Sequence, residues 1–141
     1  MNTKTDSILG NLEWDEEYDS WTGQMFLSNE KTVKVKIGVD SKNSDIPIGI
    51  KTNFQFIKEN EELLRTKIAK PTASLYNDSW SEGDEIKESS VVKRISLEYI
   101  SFFSNEGDAE LFYNDDDLFA GHTITVFVEP NGEITKPNLA G

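Results

Sequence analysis

The chain has 141 residues, of which 26 are acidic and 14 are basic, so its formal net charge is −12. It contains no cysteine and a single histidine, which excludes disulfides, thiolate metal centres and sites built from several histidines. An acid excess of this size also excludes a general nucleic-acid binder, because nucleic-acid phosphates would be repelled.

The N-terminal half of the chain predicts a β-meander. Residues 1–8 are polar and are expected to be disordered, which leaves a single α+β domain over residues 9–141. Strands are predicted over residues 9–14, 18–27 and 33–39. The third is the clearest, because valine and isoleucine alternate there with lysine and glycine, which is the pattern of a strand with one buried face.

The middle of the chain predicts helices. Apolar residues from Phe54 to Ile68 recur at spacings of three and four, so they share one face of a helix. Pro71 has no N–H to donate and is expected to end or kink this helix. A shorter helical segment over Thr72–Trp80 and a brief helix over Glu85–Lys93 are predicted to follow.

A second meander is predicted after the helices. Its first strand begins at Ile95, and Ile100, Phe102 and Phe103 break the alternation, which indicates a bulge or burial on both faces. Further strands are predicted over residues 109–113, 123–128 and 134–139. Asn131-Gly132 predicts a type I′ hairpin turn between the last two. The fold class is therefore α+β, a mainly antiparallel sheet with two or three helices covering one face.

Charge is distributed unevenly along this predicted fold. Residues 1–30 carry a net charge of −6 and residues 95–141 carry −8, whereas residues 31–70 carry +4. The acidity either serves solubility alone or forms a face for a basic protein partner, where complementary charge raises the association rate and selects the partner. Such a face would be formed by Glu13, Asp15, Glu16, Glu17, Asp19, Asp115, Asp116 and Asp117.

His122 is the first candidate for acid–base chemistry, since histidine is the residue type that most often performs it near neutral pH. It follows the Asp triplet (Asp115, Asp116 and Asp117) closely in sequence. Three roles are open for it: catalysis oriented by a carboxylate, contact with a partner or ligand, or a hydrogen bond within the fold. The triplet does not have the spacing of an EF-hand calcium loop, so no metal site is predicted.

Motifs for cofactor or nucleotide chemistry are absent from the sequence. It has no glycine-rich phosphate loop, no G-x-G-x-x-G, no H-E-x-x-H and no G-x-S-x-G. No cofactor is therefore predicted. The N-terminus has no apolar signal segment, and no run approaches the roughly 18 apolar residues of a membrane span, so we expect a cytoplasmic protein without membrane association.

The segment around the Asp triplet resembles a known family. An acidic turn followed by Leu118-Phe119-Ala120-Gly121-His122, a strand and a glycine near the end, Gly141, is similar to the bacterial domain-of-unknown-function family 2262. Leu9-Gly10-Asn11-Leu12 and Asn77-Asp78-Ser79-Trp80 fit the same family, whereas Pro71 lies where the family is helical. The resemblance implies a small bacterial domain without an assigned activity.

Two functional hypotheses follow from the sequence. The first is a non-catalytic acidic interaction module, of the immunity or adaptor type, that binds a basic protein. Its binding residues would be Asp115, Asp116, Asp117, Phe119, Gly121 and His122. The alternative is a small hydrolase or metal-dependent enzyme that uses His122 with Asp115 or Asp117, which requires a carboxylate within hydrogen-bond reach of the histidine ring.

Overall fold

A computed structural model describes residues 2–140 of the chain, so Gly141 lies outside the described residues. The described chain forms an eight-stranded sheet and two α-helices. The strands are β1 (Thr3–Asp6), β2 (Gly10–Asp15), β3 (Ser20–Phe26), β4 (Thr32–Gly38), β5 (Ser96–Phe102), β6 (Ala109–Asn114), β7 (Thr123–Val128) and β8 (Asn138–Ala140). The helices are α1 (Ile48–Ser79) and α2 (Glu88–Arg94), and both lie between β4 and β5 in the chain.

The strands lie in the sheet in the same order as in the sequence, from β1 to β8. Every neighbouring pair is antiparallel except β4 and β5, which are parallel. A parallel pair needs a long crossover connection, and here the two helices supply it. The predicted α+β class, with two meanders flanking a helical segment, is confirmed.

The core lies between α1 and one face of the sheet. On β4 the side chains of Val33, Val35 and Ile37 are buried, as their alternation predicted. The predicted helix face from Phe54 to Ile68 is also buried, because it packs on the sheet. The other face of the sheet, which α1 does not cover, carries the residues that alternate with the buried ones, both polar ones such as Lys34 and aromatic ones such as Tyr99 and Phe127; we call it the open face.

The N-terminal residues differ from the expectation of disorder. Thr3–Asp6 form β1, which pairs antiparallel with β2. Two contacts attach this polar strand to the domain: the ammonium of Lys4 lies 5.0 Å from the ring centroid of Trp21, and Lys51 of α1 pairs with Asp6 at 2.7 Å. Both contacts join residues far apart in sequence, so local polarity alone could not reveal them.

The helix α1 also differs from the expectation, because it continues without interruption through Pro71. A proline inside a helix removes one backbone hydrogen bond and disturbs the next. In α1 the hydroxyl of Thr72 donates to the carbonyl of Ile68 at 2.7 Å, and Ala69 and Ala73 are buried on both sides of the proline. Packing of the buried face therefore keeps one helix where two were predicted. No helix within residues 2–140 is both long and apolar enough to cross a membrane.

Two details of the C-terminal meander were predicted with different success. The predicted irregularity in β5 is confirmed, because the register with β6 shifts between Leu97 and Tyr99. The type I′ turn is wrong: Gly132 has a positive φ of 86° but Asn131 does not. Pro130 occupies the first central position, so the turn is of type I with a glycine bulge, in which Gly132 N–H donates to Glu129 at 2.8 Å.

Candidate functional site

Asp115 holds the β6–β7 loop together from inside. Its side chain is buried, and its carboxylate accepts backbone N–H bonds from Asp117 at 3.1 Å, Phe119 at 2.8 Å and Gly121 at 3.1 Å. Four residues of this loop have positive φ, a conformation that needs outside support in residues other than glycine. The hydrogen bonds to Asp115 provide that support, so the visible role of this carboxylate is to hold the loop backbone.

The other two members of the Asp triplet are exposed. Asp116 pairs with Arg94 at the end of α2, with 2.9 Å between Nε and Oδ2, and Arg94 also donates to the Asp116 carbonyl at 2.7 Å. The negative charge that the sequence placed here is therefore partly offset by a neighbouring cation. The triplet consists of one structural, one paired and one solvated carboxylate.

Phe119 anchors the loop to the end of α1. Its side chain is fully buried and makes edge-on contacts with Tyr76 and Trp80, at 6.0 and 5.4 Å between ring centroids. A side chain in this position cannot reach a partner in the folded protein. Phe119 therefore packs within the protein and Asp115 bonds within its loop, and the prediction that either residue binds a partner stays a prediction.

His122 bonds to the backbone of its own loop. Its Nδ1 lies 2.5 Å from the carbonyl oxygen of Phe119, so Nδ1–H donates there, and the ring packs edge-on against Trp80 at 5.5 Å. The pairing with Asp115 or Asp117 that the enzymatic alternative requires is not formed. Nor does the described part of the chain contain a group of three histidine, cysteine or carboxylate side chains placed to hold a metal ion.

The two acidic clusters of the sequence do not form one face, contrary to the expectation. The β2–β3 connection lies at the end of the sheet where β4 finishes, since Ser20 pairs with Gly38. The β6–β7 loop with the Asp triplet lies at the end where β5 begins, since Asn114 pairs with Ser96. Because β4 and β5 are parallel, these are opposite ends of the sheet.

The end that contains the β2–β3 connection collects most of the loop acidity. Four connections meet there, and the part of them at this end, with the last residue of β2, comprises residues 15–19, 39–47, 103–108 and 129–134; the β7–β8 connection itself continues to residue 137. We call these four ranges the acidic end. Lys42 is their only basic residue, and its Nζ lies 4.0 Å from Glu16. The carboxylates are Asp15, Glu16, Glu17, Asp19, Asp40, Asp45, Glu106, Asp108, Glu129 and Glu133.

α1 begins at the acidic end and ties two of its turns together. The buried side-chain amide of Asn53 donates to the carbonyl of Gly107 at 2.7 Å and to that of Val128 at 3.4 Å. A side chain at Gly49 would collide with the backbone of Glu106, at 2.2 Å from its carbonyl oxygen. The helix start and the two turns are therefore in close contact, which positions their charged residues together.

Large apolar side chains are exposed at the same end. Among residues 2–140, four of the seven exposed large hydrophobic side chains are at or beside it: Tyr18, Ile48, Phe103 and Phe127, which are 61%, 74%, 54% and 42% exposed. The rings of Phe103 and Phe127 contact each other edge-on at 5.8 Å. Sequence reasoning missed this grouping because it depends on strand order, which places alternate connections of a meander at one end.

The comparisons with known proteins agree with the resemblance drawn from the sequence. Residues 6–139 match the family model described as "Uncharacterized protein conserved in bacteria (DUF2262)". No curated protein and no solved structure matches the chain. Since the family match covers nearly the whole chain, the protein belongs to the DUF2262 family of uncharacterised bacterial proteins.

Proposed function

We propose that this protein is a non-catalytic interaction module of the bacterial cytoplasm, in the manner of an immunity or adaptor protein. It binds a basic protein, and the binding surface is the acidic end. The observation that carries the proposal is the coincidence, at one end of the sheet, of ten carboxylates with four exposed apolar side chains.

The two kinds of side chain would have separate tasks in binding. Complementary charge at the rim of an interface speeds association and selects the partner, while its contribution to affinity is modest. Exposed aromatic side chains provide affinity when a partner covers them, and aromatic residues are enriched among the residues that dominate binding energy. The Phe103–Phe127 pair, flanked by Glu106 and Glu129, combines both features.

The loop that the sequence singled out is a weaker candidate for this surface. Of its six predicted binding residues, Asp115 and Phe119 are buried, and Asp116 is paired with Arg94. Asp117 and Gly121 remain exposed, and His122 is half-buried. A partner could contact these three, but the loop offers no large exposed apolar side chain to accompany them.

Capture experiments with charge-matched variants test the proposal. The tagged protein, its Glu16→Gln/Glu17→Gln variant and its Asp116→Asn/Asp117→Asn variant are used to capture proteins from a lysate of the source bacterium, at low and moderate salt. Each variant loses two negative charges: the first variant loses them at the acidic end, and the second loses them at the opposite end of the sheet. We expect one basic protein to be retained by the wild type and the second variant and lost by the first.

Two results would contradict the proposal. One is a partner retained equally by the Glu16→Gln/Glu17→Gln variant, and the other is a partner lost only on the Asp116→Asn/Asp117→Asn change. The second result would assign binding to the β6–β7 loop, as the sequence predicted. Urea unfolding of both variants provides the control for folding, since exposed charges of this kind contribute little to stability.

A further inference from the structure

A groove lined by strand residues, rather than by the loops of the acidic end or the β6–β7 loop, crosses the open face of the sheet. It extends from β2 to β5 and encloses about 440 Å³, with β3 as its floor. We call it the open-face groove. Its lining includes Glu13 on one side, Thr22 and Gln24 on the floor, and Lys34, Lys36 and Tyr99 on the other side.

The two lysines form a positive wall in a strongly acidic protein. Lys34 and Lys36 alternate with the buried Val33, Val35 and Ile37, so both side chains leave β4 on the open face. Neither ammonium group forms an ion pair with any carboxylate of residues 2–140. The Lys36 ammonium lies over the ring of Tyr18 at 4.9 Å, which holds it near the groove without neutralising it.

Glu13 faces this wall from a distance that a small molecule could bridge. The register places Glu13 beside Thr22 and Thr22 beside Lys36, all on the open face. Two strand spacings therefore separate the backbones of Glu13 and Lys36, roughly 10 Å in all. The groove thus has a positive side and a negative side.

Tyr99 adds a fixed hydrogen-bond donor to the positive side. It pairs in register with Lys34, and its ring packs against Phe112 at 5.2 Å between centroids. Partial burial raises the pKa of Tyr99, and the nearby Asp15 carboxylate adds to the effect, so the phenol keeps its proton at neutral pH. A second groove of about 490 Å³ shares Lys34 and Tyr99, so ligand atoms could approach this pair from both sides.

We propose that the open-face groove binds a small molecule with a carboxylate or phosphate group at one end and an ammonium or hydroxyl group at the other. The anionic group lies between Lys34, Lys36 and the Tyr99 hydroxyl, and the donor end faces Glu13. The residues that would bind this ligand differ from those proposed to bind the protein partner, although Tyr18 of the acidic end contacts Lys36.

Amide chemical shifts of the isotope-labelled protein test this site with three probes at constant ionic strength. The probes are acetate, inorganic phosphate and γ-aminobutyrate. Acetate and phosphate distinguish the two anionic groups, and γ-aminobutyrate adds an ammonium at the far end. We expect saturable shifts at Thr22, Lys34, Lys36 and Tyr99, with γ-aminobutyrate binding more tightly than acetate.

Three variants decide the interpretation. Lys34→Gln/Lys36→Gln should weaken binding of every probe by at least about tenfold, since it removes charge-assisted hydrogen bonds. Lys67→Gln/Lys70→Gln, which also removes two positive charges, both at exposed positions of α1, should leave binding unchanged. Glu13→Gln should abolish the preference for γ-aminobutyrate over acetate.

The proposal is overturned if no probe gives saturable shifts at these residues. It is also overturned if Lys34→Gln/Lys36→Gln responds like the wild type, which would mean that the shifts report ionic conditions alone. A preference for γ-aminobutyrate that survives in Glu13→Gln would refute the two-ended ligand.

Discussion

Replacing Asp115 with alanine tests whether this carboxylate is the internal support of the β6–β7 loop. The change removes the acceptor of three backbone N–H bonds, of which the one from Phe119 is buried and those from Asp117 and Gly121 are half-buried. A buried donor without a partner costs about 1–3 kcal/mol, and a partly exposed donor costs less because water replaces the acceptor.

The three bonds together predict a loss of about 3–4 kcal/mol in the free energy of unfolding for Asp115→Ala. Asp116→Ala should cost about 0–1 kcal/mol, because its pair with Arg94 is exposed. Asp117→Ala, at a solvated side chain, should cost about 0.5–1 kcal/mol, because φ is 64°, a conformation that aspartate adopts more readily than alanine. The three neighbours therefore give a graded control within one loop.

Urea unfolding followed by tryptophan fluorescence measures these differences. The comparison requires that the free energy of unfolding depends on urea concentration with the same slope in every variant. Trp80 contacts both Phe119 and His122, so its emission reports on the loop directly. If the three alanine variants lose the same stability, the assignment of a structural role to Asp115 alone is wrong.

Three further predictions concern the turn, the core and the helix. Gly132→Ala should destabilise the protein by about 2 kcal/mol in urea unfolding, because φ is 86° and the new Cβ would lie 2.8 Å from the Phe56 ring. Gly121→Ala should cost about half as much, because φ is the same but no atom lies near the new Cβ. Burial raises the pKa of Tyr113 well above 10, and the Glu61 carboxylate that accepts its hydrogen bond adds to the effect. Stability should therefore be full below pH 10 and fall as the pH rises above it, and Tyr113→Phe should reduce this alkaline loss. Pro71→Ala should raise the thermal midpoint by several degrees, because it restores a backbone hydrogen bond in a helix that already continues through this position; an unchanged or lower midpoint would show that the helix loses nothing to the proline.

The sequence correctly predicted the elements in which the spacing of apolar residues alone shows which face is buried. The alternation of Val33, Val35 and Ile37 located β4, and the spacing from Phe54 to Ile68 located the buried face of α1. The irregular β5 was also visible, because a bulge interrupts the same alternation. In each case neighbouring residues contain the whole signal.

Features that depend on distant residues could not be predicted in this way. β1 is polar, and its order comes from pairing with β2 and from Lys51 on α1. Asp115 and Asp117 are the same residue type two positions apart, yet only the turn geometry decides which is buried. The acidic end exists because strand order brings four separate connections together, and no single segment shows that.

The turn after β7 shows a signal that was present and misread. Asn-Gly favours a type I′ turn, but the preceding Pro130 favours the first central position of a type I turn. The structure has the type I turn that the proline favours, and Gly132 has the positive φ of the glycine bulge. The competing preference was local and would have corrected the prediction.

Amide mapping of the partner complex tests the central claim, that the acidic end is the binding surface, most directly. The isotope-labelled protein is titrated with the captured basic partner, and the perturbed amides are assigned along residues 2–140. The account predicts perturbations concentrated in residues 15–19, 103–108 and 129–134, with Phe103 and Phe127 among the largest. Perturbations concentrated in residues 115–122 instead, with the acidic end unchanged, would contradict it.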